Sequence, residues 1–338
     1  MTVNREAISV GVPLEIAPGI FLLRLPLPFR LNHINVYIFD DGDGWTVFDT
    51  GVATDECRDI WNRVLSTTFA AKPITRLIVS HFHVDHVGLA GWLYERGKPE
   101  FWMSQTEYLM GRVVHEIDSH EHFETQARFF HRYGFDIKTA NTMARGRPVP
   151  RSLRSDVPDS FGRLRAGDTL RLAGRDWRVL TGGGHSPELV MLYCAADKIF
   201  LSADQVLIEI SPNVGVRPIM PNADPLREFI DTLTRLETEV ADDVLVLPGH
   251  RTPFSGLHTR LIELVQHHEA RCAAIVDGAQ GKWLTGVELV PLVFGRNFGP
   301  EVVSLAVSEA IAHANYLVSQ GRMTTDTTAD GTLRYRVA

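Results

Sequence analysis

The chain has 338 residues, of which 44% are hydrophobic and 22% charged, a composition typical of a globular enzyme with a sizeable core. Its formal net charge of −7 argues against a general nucleic-acid binder. No apolar run reaches about eighteen residues, and the N-terminus lacks a basic segment followed by an apolar stretch, so we expect neither a transmembrane span nor a secretory signal.

The N-terminal third is rich in predicted strands. Apolar segments at 20–25, 34–39 and 45–49 are separated by Pro and Gly-Asp turns, which predicts three strands. Residues 55–65 predict a helix. Residues 76–80 are apolar and partly β-branched, which predicts a short buried strand.

Four side chains that can bind a metal lie within the next six residues: His81, His83, Asp85 and His86. They follow the strand predicted at 76–80 and precede a helix predicted at 87–96. The end of a strand that leads into a helix is a rigid place to hold several ligands. Three solvated histidines and a surface aspartate are the alternative, which the later segments disfavour because they supply further ligands.

Three later positions each place one ligand-type residue after a tight turn or an apolar strand. His185 follows a run of three glycines, Asp204 ends an apolar strand, and His250 follows the strand predicted at 244–247. Taken singly, each has an ordinary explanation, since a histidine after glycine is commonly a turn residue and Asp204 could cap a helix. Together with the first cluster and in this order, they indicate a metal site.

This set of seven residues resembles the complete metal-site pattern of the metallo-β-lactamase-fold hydrolases. The segments Asn-Val-Tyr at 35–37 and Thr-Val-Phe-Asp-Thr-Gly at 46–51 resemble the early motifs of the same superfamily, so the resemblance covers about 14–255. It implies an α/β protein, an αββα sandwich of two packed sheets covered by helices. An aspartate at 204, where the classical β-lactamases place a cysteine, points to the glyoxalase II, lactonase and related branches.

The resemblance also implies a role for each ligand. Three imidazoles would hold the first metal: His81, His83 and His185. A carboxylate and two imidazoles would hold the second: Asp85, His86 and His250. Asp204 would bridge them. Imidazole and carboxylate ligands suit two divalent metal ions, with zinc as the first expectation and iron, manganese or cobalt as alternatives.

The reaction implied is hydrolysis, in which a metal-bridging hydroxide attacks and the metals hold the developing negative charge. Asp85 is the candidate catalytic residue, because a carboxylate beside the metals could also pass a proton to the leaving group. Asp49 is interpreted as a residue that orients a ligand histidine. A turn former before Thr50-Gly51 is the equal alternative, and both can hold.

Residues 101–165 are interpreted as a helical insertion, with helices over about 104–147. Aromatic and apolar residues at helical spacing there predict packing, as a lid or pocket wall over the metals or as a dimer surface, and favour a hydrophobic or acyl-bearing small-molecule substrate. A polar cluster is interpreted as a solvated face rather than another metal site: His115, Glu116, Asp118, His120, Glu121 and His122.

The arginine-rich segment 145–165 is predicted to be a loop at the surface, or a clamp for an anionic substrate such as a coenzyme A thioester.

The tail, 256–338, is predicted to be a separate small domain that follows a catalytic domain over 1–255. Helices at 257–276, 286–294 and 301–320, then a hairpin about Asp330-Gly331, resemble the winged-helix-like C-terminal domain of one subgroup of the superfamily. From residue 256 onward there are seven Lys and Arg against eight Asp and Glu, so a packing or pocket role is favoured over DNA binding.

Three functions stay open. The first is a binuclear hydrolase of an ester, thioester or lactone. The second is a mononuclear iron dioxygenase of the persulfide-oxidising type, and the third is a nuclease or nucleic-acid-binding protein that uses the tail. Against a lactonase, Leu207 stands where such enzymes place a tyrosine, although Tyr193 is nearby in sequence. Against glyoxalase II, the tail differs from the glutathione-binding helices of that enzyme.

The expected partner is a small-molecule substrate. No membrane is expected, nucleic acid is disfavoured, and a homodimer is an option. The three cysteines are far apart and odd in number, which indicates a reducing compartment and a cytoplasmic protein: Cys57, Cys194 and Cys272.

Overall fold

The structure, a computed structural model, describes residues 7–116, 120–145 and 151–338. At 115, 116, 120–122, 151, 300 and 301 it describes the backbone only. The polar cluster expected as a solvated face between 115 and 122 therefore lies outside the described side chains.

The first sheet has seven strands in chain order: β1 (Leu14–Ala17), β2 (Ile20–Pro26), β3 (His33–Asp40), β4 (Trp45–Phe48), β5 (Ile74–Ile78), β6 (Glu100–Ser104) and β7 (Gly162–Leu164). Strands β1 to β4 are antiparallel, and β4 to β7 pair in parallel. The helix α1 (Asp55–Ser66) connects β4 to β5. It begins at Thr54, whose side chain accepts from the Cys57 amide, and it buries the face that carries Ile60 and Trp61.

The second sheet has five strands, in the order β12-β11-β10-β9-β8: β8 (Thr169–Leu172), β9 (Arg175–Gly182), β10 (Leu189–Cys194), β11 (Ile199–Ala203) and β12 (Leu245–Pro248). Only β11 and β12 pair in parallel, and α7 (Pro225–Glu239) connects them. This helix begins at Asp224, with Pro225 in its first turn, where a missing amide hydrogen costs nothing.

The two sheets pack face to face around one hydrophobic cluster. It joins Tyr37 and Phe48 of the first sheet to Trp177 and Phe200 of the second. The other face of the first sheet packs against α1 in a second cluster around Trp61. Strands with both faces covered are continuously apolar, as β10 is. The αββα sandwich expected from the sequence is therefore confirmed.

The helix predicted at 87–96 is wrong as a single element. The chain forms two short helices instead, α2 (Val84–Val87) and α3 (Ala90–Tyr94). Between them the backbone turns against the loop after β4, where the Leu89 amide donates to the Gly51 carbonyl. A side chain at Gly88 would lie 2.3 Å from the Val84 carbonyl oxygen. This position therefore has no room for a side chain.

The insertion contains α4 (Gln105–Glu116), α5 (His120–Arg132) and α6 (Ile137–Arg145), as predicted. The prediction of a loop over 145–165 is wrong in part, because a 3₁₀ turn (Arg151–Leu153) and β7 lie within it.

Helix α5 packs on the C-terminal part of the chain. Tyr133, which follows it, is buried, its hydroxyl donates to the Pro221 carbonyl, and its own carbonyl accepts from the Val287 amide. The role of the insertion as a lid stays a prediction.

The tail contains α8 (Leu257–Gly278), β13 (Leu284–Thr285), α9 (Gly286–Phe294), α10 (Pro300–Ser319), β14 (Met323–Thr327) and β15 (Leu333–Val337). The three predicted helices and the hairpin are present, and β13 joins the hairpin in a sheet of order β13-β15-β14. The segment Val302–Ser319 is long and apolar enough to cross a membrane by length and composition. Half of it is buried and α10 packs on α7, α8 and α9, so a place in the protein core accounts for its composition.

All three cysteines are buried and unpaired: Cys57, Cys194 and Cys272. Burial raises the pKa of the Cys57 thiol, and it raises that of Cys272 to about 12. These thiols are therefore poor nucleophiles.

Candidate metal centre

The seven predicted ligands meet at one edge of the sandwich, beyond the carboxyl ends of four strands. The loop after β5 carries His81, His83, Asp85 and His86. His185 follows β9, Asp204 directly follows β11, and His250 follows β12. Because β9, β11 and β12 point the same way in their sheet, their loops open on the same side.

Three imidazoles form one group: His81, His83 and His185. Their ligand atoms lie within 4.8 Å of one another. Nε2 of His81 is 2.8 Å from Nδ1 of His83, so these two nitrogens point at the same space. A single ion could contact all three rings.

A second group lies beside it: Asp85, His86 and His250. Nε2 of His250 is 3.3 Å from the Asp85 carboxylate and Nε2 of His86 is 3.8 Å from it. Asp204 lies between the groups. Its Oδ2 is 3.5 Å from Nε2 of His185, 3.4 Å from that of His86 and 3.2 Å from that of His250.

The donor set fits divalent metal ions. Among the described residues, three buried atoms that face this space have no hydrogen-bond partner: Nε2 of His86, Nε2 of His185 and Oδ1 of Asp204. A buried polar atom without a partner is unfavourable, and several that converge on one point are what a metal would satisfy. Nitrogen and carboxylate oxygen are donors that transition metals accept.

The outward nitrogens of four histidines have acceptors that fix the ring orientation. Nδ1 of His86 donates to Asp49, that of His185 to the Asn213 carbonyl and that of His250 to the His33 carbonyl, at 2.7–2.9 Å. The Ser80 hydroxyl donates to Asp49 and so accepts from Nδ1 of His81, at 2.9 Å. In its neutral form, each of these rings therefore turns the lone pair of Nε2 inward.

Asp49 lies at the turn after β4 and contacts a histidine of the site. Its φ of 64° ends β4 in the left-handed region, and its carboxylate accepts from the Ser80 amide and hydroxyl and from His86. Ala203, next to Asp204, has a φ of 45°. Such conformations cost on the order of 1–3 kcal/mol for a residue with a side chain and cluster at functional sites.

The early Asn-Val-Tyr segment holds the turn that carries His250. The Asn35 side-chain amide and the Tyr37 hydroxyl both donate to the Pro248 carbonyl. Gly249 then passes so close to the site that a Cβ there would lie 2.4 Å from Oδ1 of Asp204. Only glycine fits this position without moving the carboxylate.

Sequence reasoning missed three residues that contact the site. Asn213 contributes a backbone carbonyl, which leaves no sequence signal. Glu107, at the start of α4, is buried and links the His81–His86 loop to the His185 loop by accepting from the Phe82 and Glu188 amides. Arg217 places Nη2 2.5 Å from Nε2 of His83. A single acidic residue in a predicted helix and a single arginine in a loop gave no reason to select either side chain.

Burial and the neighbouring charges give the histidines of the site different pKa values. Burial, helped by neighbouring imidazoles, lowers the pKa of His81 and His83 well below the usual range. Burial also opposes the charged form of His86 and His250, but nearby carboxylates outweigh it. They raise the pKa of His86 well above its usual range and that of His250 to about 10. In turn, His250 and His86 overcome burial and hold the pKa of Asp204 well below its usual range.

Comparison with known proteins agrees with this geometry. Residues 30–250 match the family model described as the metallo-beta-lactamase superfamily, and residues 272–338 match that of the metallo-beta-lactamase-like C-terminal domain. The chain belongs to the metallo-beta-lactamase superfamily. Members of this superfamily are generally metal-dependent hydrolases, although some have other activities, and the fold implies binding of divalent metal.

Two solved structures resemble this superfamily member along almost its whole length. A beta-lactamase domain protein from Burkholderia ambifaria is 36% identical, with 98% of this chain and 94% of that chain covered and a TM-score of 0.88. A metallo-beta-lactamase family protein from Thermus thermophilus is 25% identical, with 96% and 100% covered and a TM-score of 0.79. An uncharacterized protein of Aquifex aeolicus is 25% identical over 177 residues, which are 52% of this chain and 68% of that protein.

Other residues considered from the sequence have different contacts. The Tyr193 hydroxyl accepts from the Ala241 amide beyond the end of α7, and Leu207 is buried. In the arginine-rich segment, Arg154 donates to the Val114 carbonyl, while Arg163 and Arg165 are exposed.

Proposed function

We propose that this protein is a binuclear metal-dependent hydrolase that cleaves an ester, thioester or lactone. The position of Asp204 carries the proposal. One oxygen of its carboxylate lies within 3.5 Å of a histidine from the first group and of two histidines from the second. A carboxylate shared in this way fits a bridge between two ions better than a ligand of one.

Each ion would have three further ligands. The first would use His81, His83 and His185, and the second Asp85, His86 and His250. Zinc is the metal we propose, since imidazole and carboxylate donors suit it. When bound, a metal pair supplies a water activated for attack near neutral pH and polarises the carbonyl oxygen of the substrate.

Asp85 is the residue that we propose moves the proton. Its side chain keeps 17% of its surface exposed, whereas those of His86 and His250 are almost fully buried. Asp85 is therefore the carboxylate of the site that the leaving group of a substrate entering from solvent could reach. An ionised carboxylate within hydrogen-bond reach can accept the proton that the attacking water loses and pass it to the leaving atom as the bond breaks.

Exposed apolar side chains on segments that contact the site support an acyl-bearing substrate. Helix α4 lies against the loop that carries the first ligands, since a Cβ at Gly111 would lie 3.6 Å from that of Phe82, and it exposes Leu109 and Val113. Ile219 and Met220 are exposed on the segment between β11 and α7. The aspartate at 204 further supports the glyoxalase II and lactonase branches, and the tail would then have a packing or pocket role.

The first test is the metal content of freshly purified protein by elemental analysis. Close to two zinc ions per chain, with hydrolysis of a panel of thioesters, lactones and esters, supports the proposal. One ion per chain, mainly iron, together with substrate-dependent oxygen consumption would replace it with the dioxygenase.

Asp204→Asn tests the bridge. An amide donates on one side and carries no charge, so we expect both ions to bind more weakly and the metal content to fall for the pair together. Asp176→Asn, an exposed aspartate on β9 that pairs with Arg171, is the matched control and should keep both ions. Loss of one ion alone from the Asp204 variant would show that this residue does not bridge.

A further inference from the structure

A cation lies at the metal centre without an ion-pair partner among the residues that the structure describes. Arg217 directs Nη2 at His83, and its guanidinium lies 4.7 Å from the centre of the Phe82 ring. None of the carboxylates in the described ranges forms an ion pair with it. A charged group beside a largely buried site is normally paired.

Glu107 is not available as that partner. Its carboxylate already accepts from the Phe82 amide at 3.0 Å, from the Ser186 hydroxyl at 2.5 Å and from the Glu188 amide at 2.7 Å. These three donors fix the loops that carry the metal ligands. A move of Glu107 towards Arg217 would break them.

A bound metal would change the contact between Arg217 and His83. His83 faces the other ligands with Nδ1, so a metal would take the lone pair of Nδ1 and leave the ring hydrogen on Nε2. A guanidinium has donors only. Two donors cannot bond to each other, so Arg217 would then need another acceptor.

Arg217 also lies on the open side of the site. Among the seven ligands, only His83 and Asp85 are more than slightly exposed, and Arg217 is partly exposed beside them. The other five ligands are buried. A substrate that reaches the metals therefore passes this guanidinium.

We propose that Arg217 anchors an anionic oxygen group, a carboxylate or phosphate, on the substrate. The planar fork of donors in arginine fits two oxygens of such a group at once. The inference rests on the proposed hydrolase function and narrows its substrates to anionic esters, thioesters or lactones, with the apolar part towards the exposed Ile219 and Met220.

The kinetic test compares two esters on the zinc-loaded enzyme: mono-(4-nitrophenyl) glutarate, which carries a carboxylate, and 4-nitrophenyl pentanoate, which does not. Wild type should prefer the glutarate ester. Arg217→Gln should lower kcat/KM for that ester about tenfold or more, mainly through KM, and change the pentanoate reaction little. Arg217→Lys should recover part of the loss, and Arg171→Gln, at an exposed ion pair, should match wild type.

A binding test separates this inference from the proposed reaction. Glutarate and its neutral diamide, glutaramide, are titrated calorimetrically into zinc-loaded protein whose metal content has been measured. Arg217→Gln should weaken glutarate binding about tenfold or more and leave glutaramide binding and the metal content unchanged. Equal effects on the two compounds, or loss of metal, would overturn the inference. Selective loss of glutarate binding in a protein that hydrolyses neither ester would uphold the anion site and reject the hydrolase.

Discussion

Neighbouring histidines at the metal centre differ in how firmly they hold a proton. In the metal-free protein, burial keeps His81 and His83 neutral, whereas Asp204 and Asp85 raise the pKa of His250 to about 10. The pKa of His86 is also raised, by Asp204, Asp49 and Asp85 against the effect of burial. The group that includes His81 and His83 is therefore ready to bind an ion, while the group around His250 must first lose protons.

Metal affinity should accordingly rise with pH. Below about pH 10, a metal has to displace the proton of His250, so the apparent affinity of the second ion should increase steadily from pH 6 to pH 9. The first ion should depend less on pH. Zinc titrations against a chromophoric chelator at several pH values measure both. Equal pH dependence of the two ions would contradict the expectation.

The same proton changes the stability of the metal-free protein. The pKa of His250 is higher in the folded state than the usual 6.5, so its contribution to stability is complete below about pH 6.5 and is lost as the pH rises towards 10. The increase in Tm that zinc produces should therefore grow over this range.

At this scale, the sequence predicts side chains that occupy a linear pattern and misses contacts that depend on three-dimensional proximity. All seven ligands follow apolar segments in a recognisable order. The Asn213 carbonyl belongs to a backbone that every residue has, and Arg217 is one of many loop arginines. Both contacts can be identified only from the structure, in which the loop between β11 and α7 lies against the histidines.

At the scale of elements, long apolar segments were predictable and short strands were not. The strands β2 to β5 and β9 to β12 have enough buried residues to show a pattern. By contrast, β7 has three residues and β13 has two, and each exists because a partner strand lies beside it. The break between α2 and α3 likewise depends on the loop after β4, which the local sequence does not reveal.

Gly249→Ala tests how closely the turn after β12 fits the metal centre. The added methyl would lie 2.4 Å from Oδ1 of Asp204 and 3.0 Å from the His86 ring, so the carboxylate has to shift. We expect metal affinity to fall about tenfold or more, with circular dichroism close to that of wild type. Gly97→Ala, where an added Cβ meets nothing within 4 Å, is the matched control. Full metal content and affinity in the Gly249 variant would show that the site tolerates the shift.

At the scale of the whole molecule, Asn213 links the tail to the metal centre. The Asn213 carbonyl accepts from His185, and its side-chain amide donates to Glu309 of α10 at 2.9 Å. Glu309 is buried and pairs with Arg271 of α8. The Val216 amide also donates to the Ser308 carbonyl, so α10 supports the loop at two points.

Glu309→Ala should therefore weaken a metal site that lies in another part of the fold. Without the carboxylate, Asn213 loses its side-chain anchor and the His185 ring loses a fixed acceptor. We expect metal affinity to drop about tenfold and the visible spectrum of the cobalt-substituted protein to change. Glu309→Gln should restore part of the effect, since its amide oxygen can still accept.

Glu237→Ala, at an exposed position on α7, is the control for this variant and should leave both readouts unchanged. Wild-type affinity and an unaltered cobalt spectrum in Glu309→Ala would show that the tail does not support the site.

The αββα class was predictable because the ligand order is characteristic of one fold, whereas the relation between sandwich and tail was not. A division at residue 255 follows the change from strands to helices along the chain. In three dimensions, one hydrophobic cluster runs through both parts and includes Phe200, Phe254, Leu257 and Tyr335. The domain boundary itself stays a prediction.

The burial of every native thiol makes this chain convenient for site-directed labelling. A maleimide or nitroxide reagent needs an accessible thiolate, and Cys57, Cys194 and Cys272 offer none. A single cysteine introduced at Leu109, which is 51% exposed on α4, could carry a spin label without removal of the native three. The distance from that label to a paramagnetic ion in the metal centre would then report, in solution, how closely the insertion approaches the metals.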